Sequence, residues 1–204
     1  LENNIIFFNS HKNMNPPKNS IFNNALKGDF KEKNIRGRYM STKQSSKTSP
    51  IEKNNIARTV LSRGEDGSLP VDEIPDHALV VVNAASNIDG RLLVNIKDVI
   101  KKVHKSDGYI IIDAAQAMAH SVEILHGVEP DAICFSAHNM YAPSLGGIII
   151  RKDFAKLIDT TFIGGGMVDD VKKDKYLLSK ENPDHLYTQF ESGLQAWGEI
   201  VALG

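Results

Sequence analysis

The chain has 204 residues, of which 41% are hydrophobic and 24% charged, and 24 Lys+Arg against 25 Asp+Glu leave a formal charge of -1. That is enough apolar material for one packed domain, and the charge balance carries no footprint of nucleic acid or an anionic membrane. A single cysteine, Cys134, excludes a disulfide framework and a cysteine-built zinc site within one chain.

No apolar run approaches the ~20 residues that span a bilayer. The start, Leu1-Glu2-Asn3-Asn4, lacks the basic and apolar parts of a signal peptide, and the missing Met suggests a fragment or trimmed chain. A lone thiol is compatible with a reducing compartment, so a cytoplasmic location is expected.

In chain order, Ile5-Ile6-Phe7-Phe8 reads as one short buried strand within a strand or helix remnant over residues 1–27. Residues 28–56 are poor in apolar side chains and read as a polar loop or disordered insert. From residue 57 to 204 the pattern is regular. Leu79-Val80-Val81-Val82, Tyr109-Ile110-Ile111-Ile112, Ala132-Ile133-Cys134-Phe135 and Gly147-Ile148-Ile149-Ile150 are continuous apolar runs, as expected of strands covered on both faces of an α/β sheet. Between the first two, Ile96, Val99, Ile100 and Val103 repeat at helical spacing, with Asn95 as cap and Asp98 in the first turn. Strand, helix, strand in this length predicts a parallel pair.

Lys152 to Asp159 reads as a short helix, and the mixed-charge segment Asp169 to Lys175 as a solvated loop. The predicted fold class is α/β, a mostly parallel sheet with flanking helices. Only four or five strands are visible, so open sheet edges call for a partner or further chain. A homodimer, or partial unfolding in isolation, is expected.

Ligands of open α/β sheets sit at the carboxyl ends of the strands. Three polar groups fall there: Asn83 to Gly90 after the first run, Asp113-Ala114-Ala115-Gln116 after the second, and Ser136-Ala137-His138-Asn139 after the third. Converging polar groups at neighbouring strand ends point to one binding site. Each also has a plainer reading: Asp113 as a helix cap, Gln116 as a solvated helix position, Asn87 as a turn residue beside Asp89-Gly90, and Ser136 as a turn.

The ordered set Ser86-Asn87-Ile88-Asp89-Gly90, Asp113-x-x-Gln116, Ser136-x-His138-Asn139, Gly164-Gly165-Gly166 and Phe190-Glu191-Ser192-Gly193 resembles the cysteine desulfurase and selenocysteine lyase group of class V aminotransferases. The resemblance implies part of the large domain of a fold-type I enzyme dependent on pyridoxal 5'-phosphate, with an amino acid as substrate. It implies that Asp113 pairs with the pyridine nitrogen and keeps the ring an electron sink. It places Gln116 on the phenolic oxygen, Asn87 near the substrate carboxylate and ring, and Ser136 and His138 on the phosphate. It also implies a phosphate loop upstream of Leu1, and a small domain carrying the catalytic cysteine and a carboxylate-binding arginine beyond Gly204. No metal and no nucleic-acid or membrane partner is implied.

The departures matter as much. Asn139 stands where the family has the lysine that forms the Schiff base and moves the proton. An amide nitrogen is not nucleophilic, so either the natural protein has lost catalysis or the lysine was deliberately replaced. Leu194 stands where a threonine reaches a neighbouring subunit's phosphate, and Gln189 where arginine is usual. His11 aligns loosely, one residue out of register, with the histidine that stacks on the cofactor ring. Cys134, inside a predicted buried strand, is expected to be inert. His104 lies on the polar side of the predicted helix, His120 and His126 lack any spacing that demands a metal, and the lysines at 101, 102 and 105 read as a solvated helix face.

Two functions compete at this point. One is a desulfurase-like enzyme impaired by Asn139, holding pyridoxal phosphate weakly. The other is a non-catalytic binding or dimerisation module that keeps the fold. A nucleotide-binding Rossmann reading is disfavoured, since no G-x-G-x-x-G follows the first strand.

Overall fold

The computed structural model describes the backbone of residues 4–10, 38–41 and 57–58, and residues 59–159, 163–178 and 187–204 in full. The strands are β1 (Asn4–Ser10), β2 (Arg38–Ser41), β3 (Ala57–Thr59), β4 (Ala78–Asn83), β5 (Tyr109–Asp113), β6 (Ala132–Ser136), β7 (Leu145–Arg151), β8 (Val168–Lys172) and β9 (Lys175–Leu178). The first seven form one sheet in the order β1-β7-β6-β5-β4-β2-β3. Strands β3, β2, β4, β5 and β6 run parallel, while β7 is antiparallel to β6 and β1 antiparallel to β7.

The mostly parallel sheet matches the expected fold class, but the strand count does not. Seven strands pair where four or five were expected. One of the additional strands, β2, lies inside the polar segment read as a loop. Its backbone pairs with β3 on one side and β4 on the other, so its place is set by ladder hydrogen bonds rather than by an apolar run of its own.

The buried side chains of the central strands alternate between the two faces of the sheet. Val80, Val82, Ile110 and Ile112 face one side of the sheet, with Leu69, Leu93 and the first helix. Leu79, Val81 and Ile111 face the other, with Ala132, Ile150, Phe154 and Ile158. A strand's side chains alternate between faces, so a continuous apolar run is what a two-sided core requires. The two outer runs are less enclosed: in β6 only Ala132 is fully buried, and in β7 only Leu145 and Ile150. The helix that follows β7, α3 (Lys152–Ala155), is a single turn, against ten residues in the helix between β4 and β5.

Helix α1 (Ile96–Lys105) buries the four residues its periodicity singled out, Ile96, Val99, Ile100 and Val103. Each such burial is worth about 2 kcal/mol. Asn95 holds the N-cap position as expected, but through its backbone carbonyl alone. Asn95 makes no side-chain bond to the helix; its Oδ1 accepts from Leu69 N–H at 3.0 Å and its Nδ2 donates to the Leu69 carbonyl at 2.9 Å. This amide side chain is taken up by another backbone segment, pinning the entry of α1 to the loop before β4. Helix α2 (Ala117–His120) follows β5, and α4 (Trp197–Leu203) ends the chain.

The Asp169–Lys175 segment forms most of an exposed hairpin, β8 with β9, instead of the expected loop. Its charges are solvated, as expected, but the backbone is paired. At the amino ends of the parallel strands, Asp131 is 2% exposed. It accepts from Ile110 N–H at 2.7 Å, lies 3.1 Å from His104 Nε2 and pairs with Arg151 Nη1 at 3.3 Å. His104, on the polar side of the helix as expected, is therefore engaged with a buried carboxylate. Lys102 likewise pairs with Asp76 at 2.9 Å. Among the described residues no helix is long and apolar enough to cross a membrane.

Candidate active site

The carboxyl ends of β4, β5 and β6 lie side by side, and the register places Asn83 opposite Asp113 and Asp113 opposite Cys134. Asn83 Nδ2 donates to Asp113 Oδ2 at 2.9 Å, and Ala115 N–H donates to Asp113 Oδ1 at 3.0 Å. The Asp113 carboxylate therefore braces the turn after β5. It does not cap α2, whose N-cap position is held by Gln116 and which has no side-chain cap bond. Burial pushes the Asp113 carboxyl above its usual value, against the smaller opposing pull of the Ala115 N–H. A half-buried carboxylate in this state gains from a cationic partner.

Ser136 ends β6, opposite Gly146 of β7, and a single 3-10 turn over Ala137–Met140 follows it. That turn exposes His138 and closes on Tyr141, which sits in the left-handed region at φ 60° with its side chain fully exposed. Asn139 Nδ2 donates to the Ala115 carbonyl at 2.7 Å. The turn after β6 is thus tied to the turn carrying Asp113, and Asp113, Gln116, Ser136, His138 and Asn139 fall at one sheet end. Asn87 is exposed in the loop after β4, beside Ser86, whose Oγ accepts from the N–H groups of Ile88 and Asp89 at 3.2 and 3.4 Å. His11 lies outside the described residues.

Further along, Gly193 N–H donates to the Gly165 carbonyl at 2.8 Å, and a Cβ on Gly164 would stand 2.7 Å from Ser192 Cβ. The glycine triplet and the Phe190–Gly193 motif therefore pack on each other, a contact only a residue without a side chain allows at position 164. Gln189 is buried, with Nε2 3.4 Å from the Ala155 carbonyl, whereas Leu194 is exposed.

The sequence model of the family described as Aminotransferase class-V matches residues 52–204. The chain belongs to the class V aminotransferase family. Among curated relatives, the cysteine desulfurase of Pectobacterium atrosepticum is 28% identical over 159 residues, 75% of this chain and 38% of that protein. A probable cysteine desulfurase of Haemophilus influenzae is 36% identical over 104 residues, covering 50% of this chain and 24% of that protein. Among solved structures, the cysteine desulfurase CsdA from Escherichia coli superposes with a TM-score of 0.72 at 15% identity, over 97% of this chain and 50% of that one. The apo cysteine desulfurase from Thermococcus onnurineus gives 0.69 at 24% identity, again over 97% and 50%. These likenesses show the fold. The chain spans half or less of the length of these relatives.

Two residues stand out at this strand end for contacts that the sequence did not assign. One is Asn83, an amide at the end of an apolar strand that reaches Asp113 across the ladder. The other is Arg63. Its Nη2 donates to the Asn83 carbonyl, and its Nη1 donates to the Arg91 carbonyl at 2.9 Å. An arginine in a polar stretch between elements carries no spacing signal, so only the fold exposes it. The thiol of Cys134, beside Asp113, is pushed up to about 12 by burial and then by the nearby carboxylate.

Proposed function

We propose that the chain forms part of a pyridoxal-phosphate cradle in a cysteine-desulfurase-like protein handling an amino acid, and that it holds the cofactor without a covalent bond. The observation that carries this is the Asp113 carboxylate at the end of β5, fixed by Asn83 and Ala115 and held above its usual value by burial. A protonated ring nitrogen would offset that burial cost, so the donor set fits the cofactor. When bound, the cofactor supplies an electron sink for bond breaking at the amino acid's α-carbon.

In this reading Asp113 holds the proton on the ring nitrogen, Gln116 donates to the phenolic oxygen, and Ser136 and His138 donate to the phosphate. Asn87 orients the substrate carboxylate from the loop after β4. Asn139 neither attacks an aldehyde nor accepts a proton, because its amide lone pair is delocalised. Catalysis is therefore strongly impaired, and the retained function is binding. The test is a visible-absorbance titration with pyridoxal phosphate, expected to show a bound-aldehyde band that Asp113→Ala abolishes. No spectral change at millimolar cofactor would refute it.

The bond from Asn139 to the Ala115 carbonyl favours a second reading, a non-catalytic dimerisation module. It uses the amide of position 139 as a structural tie between two turns. Exposed Trp197 and Val201, four positions apart on α4, and exposed Leu194 just before it support association into a homodimer. Size-exclusion chromatography of the chain separates the two assemblies, with a monomer counting against the module.

A further inference from the structure

We infer that Arg63 is a positioning residue for this site: its guanidinium clasps both ends of the loop from Asn83 to Arg91 and so sets Asn87 and the Asn83 amide relative to Asp113. The inference rests on the binding reading above.

The clasp is built from both directions. Arg63 donates to the carbonyls of Asn83 and Arg91, the two ends of the loop. The Arg91 carbonyl also accepts from Ser86 N–H at 2.9 Å, and the Ser86 carbonyl accepts from Gly90 N–H at 3.1 Å. In return, Arg91 Nη1 reaches the Gly64 carbonyl at 3.5 Å, and Arg91 Nε pairs with Asp89 at 3.2 Å. The turn that carries Arg63 is itself tightly seated. Gly67 lies at φ 87°, and a Cβ there would stand 2.3 Å from the Leu92 carbonyl oxygen.

Burial lowers the Arg63 guanidinium from its usual value, with Asp89 opposing, so its hydrogen bonds replace lost hydration. Below the clasp, Asn83 passes the constraint on. Its carbonyl is held by Arg63 while its side-chain amide is held on Asp113 Oδ2, and Ala84 N–H donates to the Asp113 carbonyl at 2.8 Å. A planar guanidinium holds its donors in a fixed fork that spans two carbonyls, whereas an ammonium carries three donors on one nitrogen and fits that span less well.

The experiment compares the full chain with Arg63→Met and Arg63→Lys, first by amide hydrogen exchange without ligand. Exchange at Ser86 and Gly90 is expected to rise about tenfold or more in Arg63→Met, and less in Arg63→Lys, with Ile111 in β5 unchanged. Unchanged loop exchange in both variants overturns the clasp. Pyridoxal phosphate titrations follow. Where the unsubstituted chain binds, affinity is expected to fall about fivefold in Arg63→Met with partial rescue in Arg63→Lys, and equal affinity in all three overturns the positioning role. If the unsubstituted chain binds no pyridoxal phosphate, the functional reading fails and the exchange result alone decides the clasp. If Arg63→Met does not fold, Arg63→Lys carries both arms.

Discussion

Asn139 Nδ2 lies 2.7 Å from the carbonyl oxygen of Ala115, bridging the turn after β6 to the turn after β5. The side chain at position 139 is thereby tied to a residue two positions from Asp113. Asn139→Lys exchanges that tie for a long basic chain at the same strand end. The expected outcome is a phosphopyridoxyl group on the peptide carrying position 139 after incubation with pyridoxal phosphate and borohydride reduction. Peptide mass spectrometry should show labelling there well above that at Lys101 and Lys102, which lie on the distant α1. Equal labelling at all three would mean that the strand ends do not gather the cofactor.

Asp113 yields a pH prediction. Its carboxyl is raised in the folded chain, so the folded state binds the proton more tightly than the unfolded state does. The resulting stability is fully present below the ordinary aspartate range near ~4. It is lost as pH rises through the raised value. Asp113→Asn removes the titrating group and should raise the melting temperature of the ligand-free chain at neutral pH, with a smaller gain in acid. Thermal melts across the acid-to-neutral range check this. A variant less stable at neutral pH than in acid, relative to the parent, would contradict it.

The pole opposite the site holds Asp131, whose carboxylate serves Ile110 N–H, His104 and Arg151 together. Asp131→Ala leaves a buried donor on β5 without its acceptor and should cost about 2–3 kcal/mol in urea unfolding. Asp131→Asn keeps an acceptor for Ile110 and should cost about 1 kcal/mol. A neutral effect of Asp131→Ala would show that solvent replaces the cluster.

Cys134 should behave as an inert thiol. With its pKa pushed up to about 12, almost no thiolate forms at mildly alkaline pH. Iodoacetamide at about pH 8 should leave it unmodified in the native chain and alkylate it fully in urea. Rapid native alkylation would show that β6 opens near Asp113.

How much could be read beforehand follows from what each element depends on. The four apolar runs became β4, β5, β6 and β7, and the spacing of Ile96, Val99, Ile100 and Val103 became the buried side of α1. Those signals are written in side-chain character. The direction of β7 is not, since Gly147 to Ile150 reads identically parallel or antiparallel. Strand β2 has the sequence RYMS and owes its place to neighbours on both sides.

The polar residues at the ends of β5 and β6 were visible because chemistry-bearing side chains directly follow apolar runs. Arg63, Asn83 and Asp131 were missed as partners because each acts through a bond spanning 20 or more positions. The cap position of Asn95 was legible, but not the partner of its side chain, Leu69, which lies 26 positions away.

The pairing of β1 with β7 joins Asn4 to Arg151 and Ser10 to Leu145. During synthesis at about 5–20 residues per second, the earlier strand leaves the ribosome on the order of ten seconds before its mate. In that interval Ile5-Ile6-Phe7-Phe8 is a sticky, unmated segment of nascent chain. A chaperone that covers this stretch until β7 emerges would guard against misassembly, and slower translation of the intervening chain would lengthen its exposure.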